Sequence, residues 1–324
     1  MPLWGYPLTY KYAYLFPGQG SQYVGMGNDL YSSFSAAREM FDQANQVLGI
    51  NISQLCFNGP ADTLNDTWNT QPAILATGIA ALRVLQAEKP EMDHPVYVAG
   101  HSMGEFSALI AAGAISFEDG LKLVRERGRL MKQAGEQSPG GMAAILGLEC
   151  GPVEEICSTV REQSGEYVGV ANDNCPGQIV ISGATSALER AMELAKEQGA
   201  KRATRLAVSI AAHSPLMVEA AAEFRRILDA TPFHKPSVPL VANAAAAPLT
   251  APDDIRDALG RQLTSPVRWT ESVRWMIDQG VTCFIEVGPK DVLTGLLRRI
   301  DRSVDTLYTD KVLTQEGFVA GREA

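Results

Sequence analysis

Residues 98–113 read V-A-G-H-S-M-G-E-F-S-A-L-I-A-A-G, with the pattern G-x-S-x-G at Gly100-His101-Ser102-Met103-Gly104. The apolar run before it has the character of a buried strand, and the run from Ser102 to Ala112 that of a helix closed by Gly113. In that context a sharp turn pushes the Ser102 hydroxyl out of the backbone, and the flanking glycines let strand and helix approach closely. The helix then aims free N–H groups and its positive dipole end at the site. Ser102 is therefore a candidate nucleophile for acyl chemistry. The competing reading is a Gly-rich turn with a capping serine.

A serine nucleophile needs a base, and the chain has four histidines. His101 adjoins Ser102 at a strand end, where alternation points it away from the hydroxyl. His94 lies at the far end of that strand, and His234 sits in the polar loop P-F-H-K-P. His213 remains, in S-I-A-A-H-S-P-L-M, and is the candidate base, with a capping or core histidine as the alternative. In L-K-L-V-R-E-R-G-R-L-M, Arg127 shares the inward helix face with Leu123, Val124, Leu130 and Met131. No acid stands three or four residues away, so a buried guanidinium there requires an anion from elsewhere. A structural Asp or Glu would serve, and so would a substrate carboxylate held by the planar fork. The loop F-P-G-Q-G-S-Q at residues 16–22 lacks the third glycine of a dinucleotide loop, with Tyr23 in its place. Such a loop can lend a backbone N–H to an oxyanion hole beside the N–H of Met103, or be a plain turn.

These residues need elements to hold them. Residues 12–16 and 96–99 read as buried strands and 72–87 as a helix; Ser116 opens another helix with Asp119 in capping-box position. Strands alternating with helices predict a parallel sheet covered on both faces. The middle has its own rhythm: strand 141–148, helix 153–163, strands 167–171 and 178–182 around the turn N-D-N-C-P-G, helix 186–198, strand 202–209. That β-α-β-β-α-β order is the ferredoxin-like arrangement, inserted after the hinge E-Q-S-P-G-G. Two later strands are expected at 240–243 and 283–287. The expected division is a large α/β domain over 11–139 and 209–310 and a small ferredoxin-like domain over 140–208. An extension (1–10) and a tail (311–324) have no assigned role.

Thirty-seven acidic against twenty-eight basic residues give a net charge of −9, and no basic run offers phosphates a footprint, which argues against nucleic acid. Five scattered cysteines without a C-x-x-C pair argue against a disulfide framework or a thiolate zinc site and for a reducing compartment. No signal-peptide pattern or membrane-length apolar run is evident. The expectation is a cytoplasmic protein with no metal, no nucleic acid and no membrane contact.

Taken together, F-P-G-Q-G-S-Q, G-H-S-M-G-E, R-E-R-G-R-L-M, A-N-D-N-C-P-G-Q-I-V-I-S-G, H-S-P-L-M, S-P-V-R-W and E-V-G-P-K-D-V-L resemble malonyl-CoA:acyl carrier protein transacylases and the acyltransferase domains of polyketide synthases. They run in the family's order from Phe16 to about Ile300. The resemblance implies an α/β-hydrolase-like domain with a ferredoxin-like insertion. It implies Ser102 as nucleophile, His213 as base and Arg127 as the grip on the malonyl carboxylate. The backbone N–H groups of Gln19 and Met103 match the oxyanion hole, and Gln262 a glutamine whose carbonyl orients the histidine. The family works as a Ser–His dyad, consistent with no triad acid being found.

Asn172 matches a pocket residue, and Ala212 stands where relatives often carry Phe or Ser, leaving room beside the acyl α-carbon. The implied protein is a monomer without a resident cofactor. It takes malonyl-CoA as its CoA thioester and acyl carrier protein as its partner, in fatty acid or polyketide synthesis. Alternatives are a stand-alone polyketide acyltransferase using methylmalonyl or another extender, a serine thioesterase, and an idle carrier-docking module. Arg125, Arg129, Lys132, Lys201 and Arg202 are the candidate cations for an acidic carrier protein.

Overall fold

The computed structural model describes residues 11–313; the expected extension 1–10 and the tail from 314 onward lie outside the described residues. These residues form eleven strands. The first six are β1 (Tyr12–Phe16), β2 (Tyr97–Gly100), β3 (Gly140–Leu146), β4 (Val168–Cys175), β5 (Gln178–Ala184) and β6 (Arg202–Arg205). The rest are β7 (Leu240–Ala242), β8 (Ala247–Leu249), β9 (Val267–Arg268), β10 (Cys283–Glu286) and β11 (Asp305–Tyr308). They make one sheet in the order β11-β10-β1-β2-β7-β8 and another in the order β6-β3-β5-β4-β9.

The first sheet is parallel except at its edge, where β8 returns antiparallel to β7. Alternate residues of β1 and β2 enter opposite cores. Tyr14, Phe16 and Val98 pack with the helix Thr67–Glu88, whereas Ala13, Leu15 and Ala99 pack with Trp269, Val273 and Phe284. This two-sided burial is why the strands read as unbroken apolar runs. The second sheet is antiparallel through β6-β3-β5-β4 and encloses a separate core with the helices Cys150–Ser164 and Thr185–Glu197.

The structure corrects several boundaries. The expected strand 202–209 ends at Arg205. The expected turn N-D-N-C-P-G is largely strand: β4 runs to Cys175, register shifts absorb its irregularity, and only Pro176 and Gly177 turn. The elbow helix begins at Gly104 rather than Ser102, because Ser102 has φ of 51° and stands outside the helical region. A strand from beyond the insertion also joins the second sheet. β9 pairs in parallel with β4 (Asn172 opposite Val267, Asp173 opposite Arg268), so residues after 209 help to close that sheet.

Two helices set the stage for Arg127. Thr67–Glu88 is buried on nearly all sides and contains Pro72, which cannot donate to the carbonyl of Trp68. Arg125 Nη1 supplies that bond instead, at 3.0 Å, while its guanidinium lies 4.0 Å from the centre of the Trp68 ring. The second helix, Phe117–Gln137, is capped by Ser116, whose Oγ accepts the Asp119 N–H (3.0 Å). The other half of the expected capping box differs, since the Asp119 carboxylate accepts from the Ser116 hydroxyl (2.7 Å) and not from its backbone N–H. Gly128 lets these helices touch, since a Cβ there would lie 2.6 Å from the Thr67 carbonyl oxygen. Its neighbour Arg127 is thereby carried into the interior. No helix of the described residues is long and apolar enough to cross a membrane.

Candidate active site

The elbow is built by contacts that only glycine permits. A Cβ on Gly100 would stand 1.9 Å from the Gly104 carbonyl carbon, and one on Gly104 would stand 2.2 Å from the Phe16 carbonyl oxygen. Gly18 closes the loop after β1 against the same turn, with a Cβ there meeting the His101 carbonyl oxygen at 2.4 Å. Strand, turn and helix are thus pressed together, and Ser102 takes the left-handed conformation that lifts its hydroxyl from the sheet edge.

His213 meets it. Ser102 Oγ lies 2.9 Å from His213 Nε2, and His213 Nδ1 lies 2.9 Å from the Gln262 carbonyl oxygen and 3.1 Å from that of Ser265. Two carbonyls at Nδ1 require a proton there, so Nε2 carries the lone pair and the Ser102 hydroxyl donates to it. No carboxylate bonds this ring among the described residues. His213 also has positive φ, 59°, and is 3% exposed.

Burial, followed by the positive charge of Arg127, pushes the His213 pKa down to about 3. The unfolded chain takes up a proton at the ordinary histidine value while the native chain does not. Stability from this residue is therefore complete above about pH 6.5 and is lost as pH falls below it. NMR of the His213 ring in the native protein is expected to show no titration step between about pH 7.5 and about pH 5. A midpoint near 6.5 would contradict a neutral ring in the resting site.

The other histidines stand as the sequence reading placed them. His101 turns away from the hydroxyl, its Nε2 2.8 Å from Asn174 Oδ1 and its ring edge-on to Trp269, while His94 and His234 are exposed.

Arg127 is 1% exposed and reaches the Ser102 hydroxyl. Its Nη2 donates to Ser102 Oγ (3.0 Å) and to Gln262 Oε1 (2.8 Å), and its Nη1 donates to Gln71 Oε1 (3.0 Å). Nε is buried with no partner. Burial pushes its pKa down to about 10, against the opposing pull of Glu105, so it stays cationic at neutral pH. The question of its counter-charge has a structural part to its answer. Glu105 is a buried acid nearby, but it reaches Arg127 only through the Gln262 amide, and burial pushes its own pKa up to about 7.

Neither the Met103 nor the Gln19 N–H finds an acceptor among the described residues, and Gln19 is anchored by its side chain on Thr67 Oγ1 (3.0 Å). Asn172 is buried on β4 beside β9, and no described hydrogen bond joins its side chain to Ser102, His213 or Arg127. Ala212 is buried next to His213. Of the candidate docking cations, Arg129 and Lys132 are paired with Glu126 and Asp66.

Three contributors escaped the sequence reading. Gln71 holds Arg127. Glu105 accepts the Asn243 N–H, and the Asn243 side chain clamps the elbow by accepting from Ser102 N–H (2.7 Å) and donating to the Gly100 carbonyl (2.7 Å). One signal was in view: an acid at position 105 opens an otherwise apolar helix, F-S-A-L-I-A.

The arrangement is a neutral imidazole on a serine hydroxyl, two backbone N–H groups without acceptors among the described residues and a buried cation at the same hydroxyl. That is equipment for acyl transfer through a serine ester. The family model for the acyl transferase domain matches residues 13–315. A malonyl CoA-acyl carrier protein transacylase of Bacillus subtilis is 47% identical over 297 residues, 92% of each chain. An acyl carrier protein S-malonyltransferase structure from Vibrio cholerae superimposes with a TM-score of 0.88 at 45% identity, covering 92% of this chain and 96% of that one. A malonyl-transacylase solved in complex with a type II polyketide synthase acyl-carrier protein gives a TM-score of 0.90 at 40% identity, covering 94% of this chain and 99% of that one. With that match along nearly its whole described length, on a mixed fold of parallel and antiparallel sheets, this chain belongs to the acyl transferase domain family.

Proposed function

We propose that the chain transfers a malonyl group from malonyl-CoA to the phosphopantetheine thiol of acyl carrier protein. Ser102 Oγ attacks the thioester carbonyl carbon while its proton passes to His213 Nε2. The oxyanion rests on the N–H groups of Gln19 and Met103. The C–S bond breaks, CoA leaves with the proton from Nε2, and Ser102 carries a malonyl ester. The carrier thiol then gives its proton to Nε2, its sulfur attacks the ester, and Ser102 leaves reprotonated. This is a ping-pong scheme.

The observation that carries this reading is Arg127, a buried cation with Nη2 3.0 Å from Ser102 Oγ and an unpartnered Nε. A hydrolase or thioesterase with neutral substrates has no use for it, whereas the distal carboxylate of a malonyl group supplies its missing acceptor. The Gln262 carbonyl on His213 Nδ1 takes the place of a triad acid. Ala212, a small residue beside His213, leaves room for methylmalonyl or another extender as the alternative acyl group.

The larger sheet with its covering helices, 11–139 and 209–310, is α/β-hydrolase-like. Residues 140–208 form a ferredoxin-like insertion whose sheet borrows β9. A cytoplasmic monomer with acyl carrier protein as its partner completes the reading.

The test is intact-protein mass spectrometry after brief exposure to malonyl-CoA, with peptide mapping. The expected result is a malonyl increment on Ser102 that carrier protein removes. An adduct lost equally fast to water, or none, would refute transfer.

A further inference from the structure

Glu105 stands in the first turn of the elbow helix, 2% exposed, and takes no part in the steps above. Its two carboxylate oxygens serve different parts of the site. Oε1 accepts the main-chain N–H of Asn243 (2.6 Å), and Oε2 accepts from the side-chain NH₂ of Gln262. That bond turns the Gln262 amide so that its oxygen meets Arg127 Nη2 at 2.8 Å, while the same NH₂ also donates to the Ser102 carbonyl (2.9 Å). An amide has one accepting end and one donating end, so the acceptors at Glu105 and the Ser102 carbonyl together decide which end meets the guanidinium. Reversed, the NH₂ would face the N–H groups of Arg127, two buried donors without an acceptor.

We propose that Glu105 is a positioning residue for acyl-group selection: through the Gln262 amide it holds Arg127 where the carboxylate of an acyl group meets it. This rests on the transferase reading above and names the residue that keeps its selecting group in place. Ionised, Glu105 accepts at both oxygens, which the isosteric carboxamide cannot do. In Glu105→Gln either the Asn243 N–H or the Gln262 amide faces a donor. The Asn243 N–H is fixed main chain and the Gln262 side chain can move, so the donor at 105 pushes the Gln262 amide out of line, with the Ser102 carbonyl as its remaining acceptor there. Its oxygen then no longer holds Arg127 Nη2 in place.

The experiment compares acylation by malonyl-CoA and acetyl-CoA in the wild type and Glu105→Gln, with thermal unfolding in parallel. The Arg127 contact is made before and during reaction, so its loss falls on KM more than on kcat. Malonyl kcat/KM is expected to fall roughly 30-fold, and the malonyl-to-acetyl ratio by about tenfold or more. A purely structural role would lower the unfolding temperature and depress both substrates alike.

An unchanged ratio in the folded variant overturns the proposal. Should Glu105→Gln not fold, Gln262→Met cuts the same relay at its other end and keeps the carbonyl that His213 needs. The same fall in ratio is expected there, and an unchanged ratio again overturns the assignment. A wild type that takes no malonyl on Ser102 defeats the transferase reading itself. A wild type that does, with unchanged ratios in the variants, removes Glu105 alone.

Discussion

Ser102→Ala is expected to abolish the malonyl adduct and to lower transfer to carrier protein by roughly 10⁴- to 10⁶-fold. In the proposed scheme the two half-reactions share one atom. Ser102 Oγ stands within 3.0 Å of both His213 Nε2 and Arg127 Nη2, so the imidazole and the guanidinium converge on it. Without Oγ the base has no proton to take and the acyl group no ester to form. Binding survives, because Arg127 keeps its bonds to Gln71 and Gln262. The variant should therefore retain affinity for malonyl-CoA, measurable by calorimetry, while its mass spectrum stays unchanged on exposure. An adduct persisting in the variant would place the nucleophile elsewhere.

Arg127→Ala is expected to reverse acyl preference. Malonyl acylation should fall by roughly 10²- to 10³-fold, the effect of losing a charge-assisted, two-pronged contact in a buried site. Acetyl acylation should rise, because a neutral acyl group no longer leaves a buried guanidinium unpaired beside it. The comparison is kcat/KM for the two thioesters in one preparation. Malonyl transfer persisting with acetyl transfer unraised would end the carboxylate assignment. The change also strands Gln71 Oε1 and Gln262 Oε1, so a modest loss of thermal stability should accompany it.

The candidate site residues were legible where type and local pattern coincide. Ser102 announced itself through its glycines, whose missing side chains are required by contacts under 2.5 Å on both sides. His213 followed by exclusion, and Arg127 by an inward helical phase that the structure bears out. What could not be read were pairings between distant segments. Glu105 and Asn243 meet across 138 positions and Gln71 and Arg127 across 56, and nothing in either local stretch encodes the partner.

Strand limits failed for a similar reason. The two residues of β9 are strand only because β4 lies beside them, and the polar end of β4 is strand because β5 and β9 take its hydrogen bonds. A polar stretch such as N-D-N-C reads as a turn when its neighbours are unknown.

The tight elbow has a consequence for turnover. Ser102 is held by Asn243 through its N–H and by Gln262 through its carbonyl, on a turn whose glycines leave no slack. The Ser102 hydroxyl is therefore preorganised: its unfavourable backbone angle is imposed once, at folding, and not again in each proposed acyl exchange. On the transferase reading, an acyl donor and an acyl acceptor of very different size, a coenzyme thioester and a whole carrier protein, then meet the same unmoving oxygen. Reorganisation is left to the incoming thioester arm, and the forward and reverse half-reactions pass over one shared geometry.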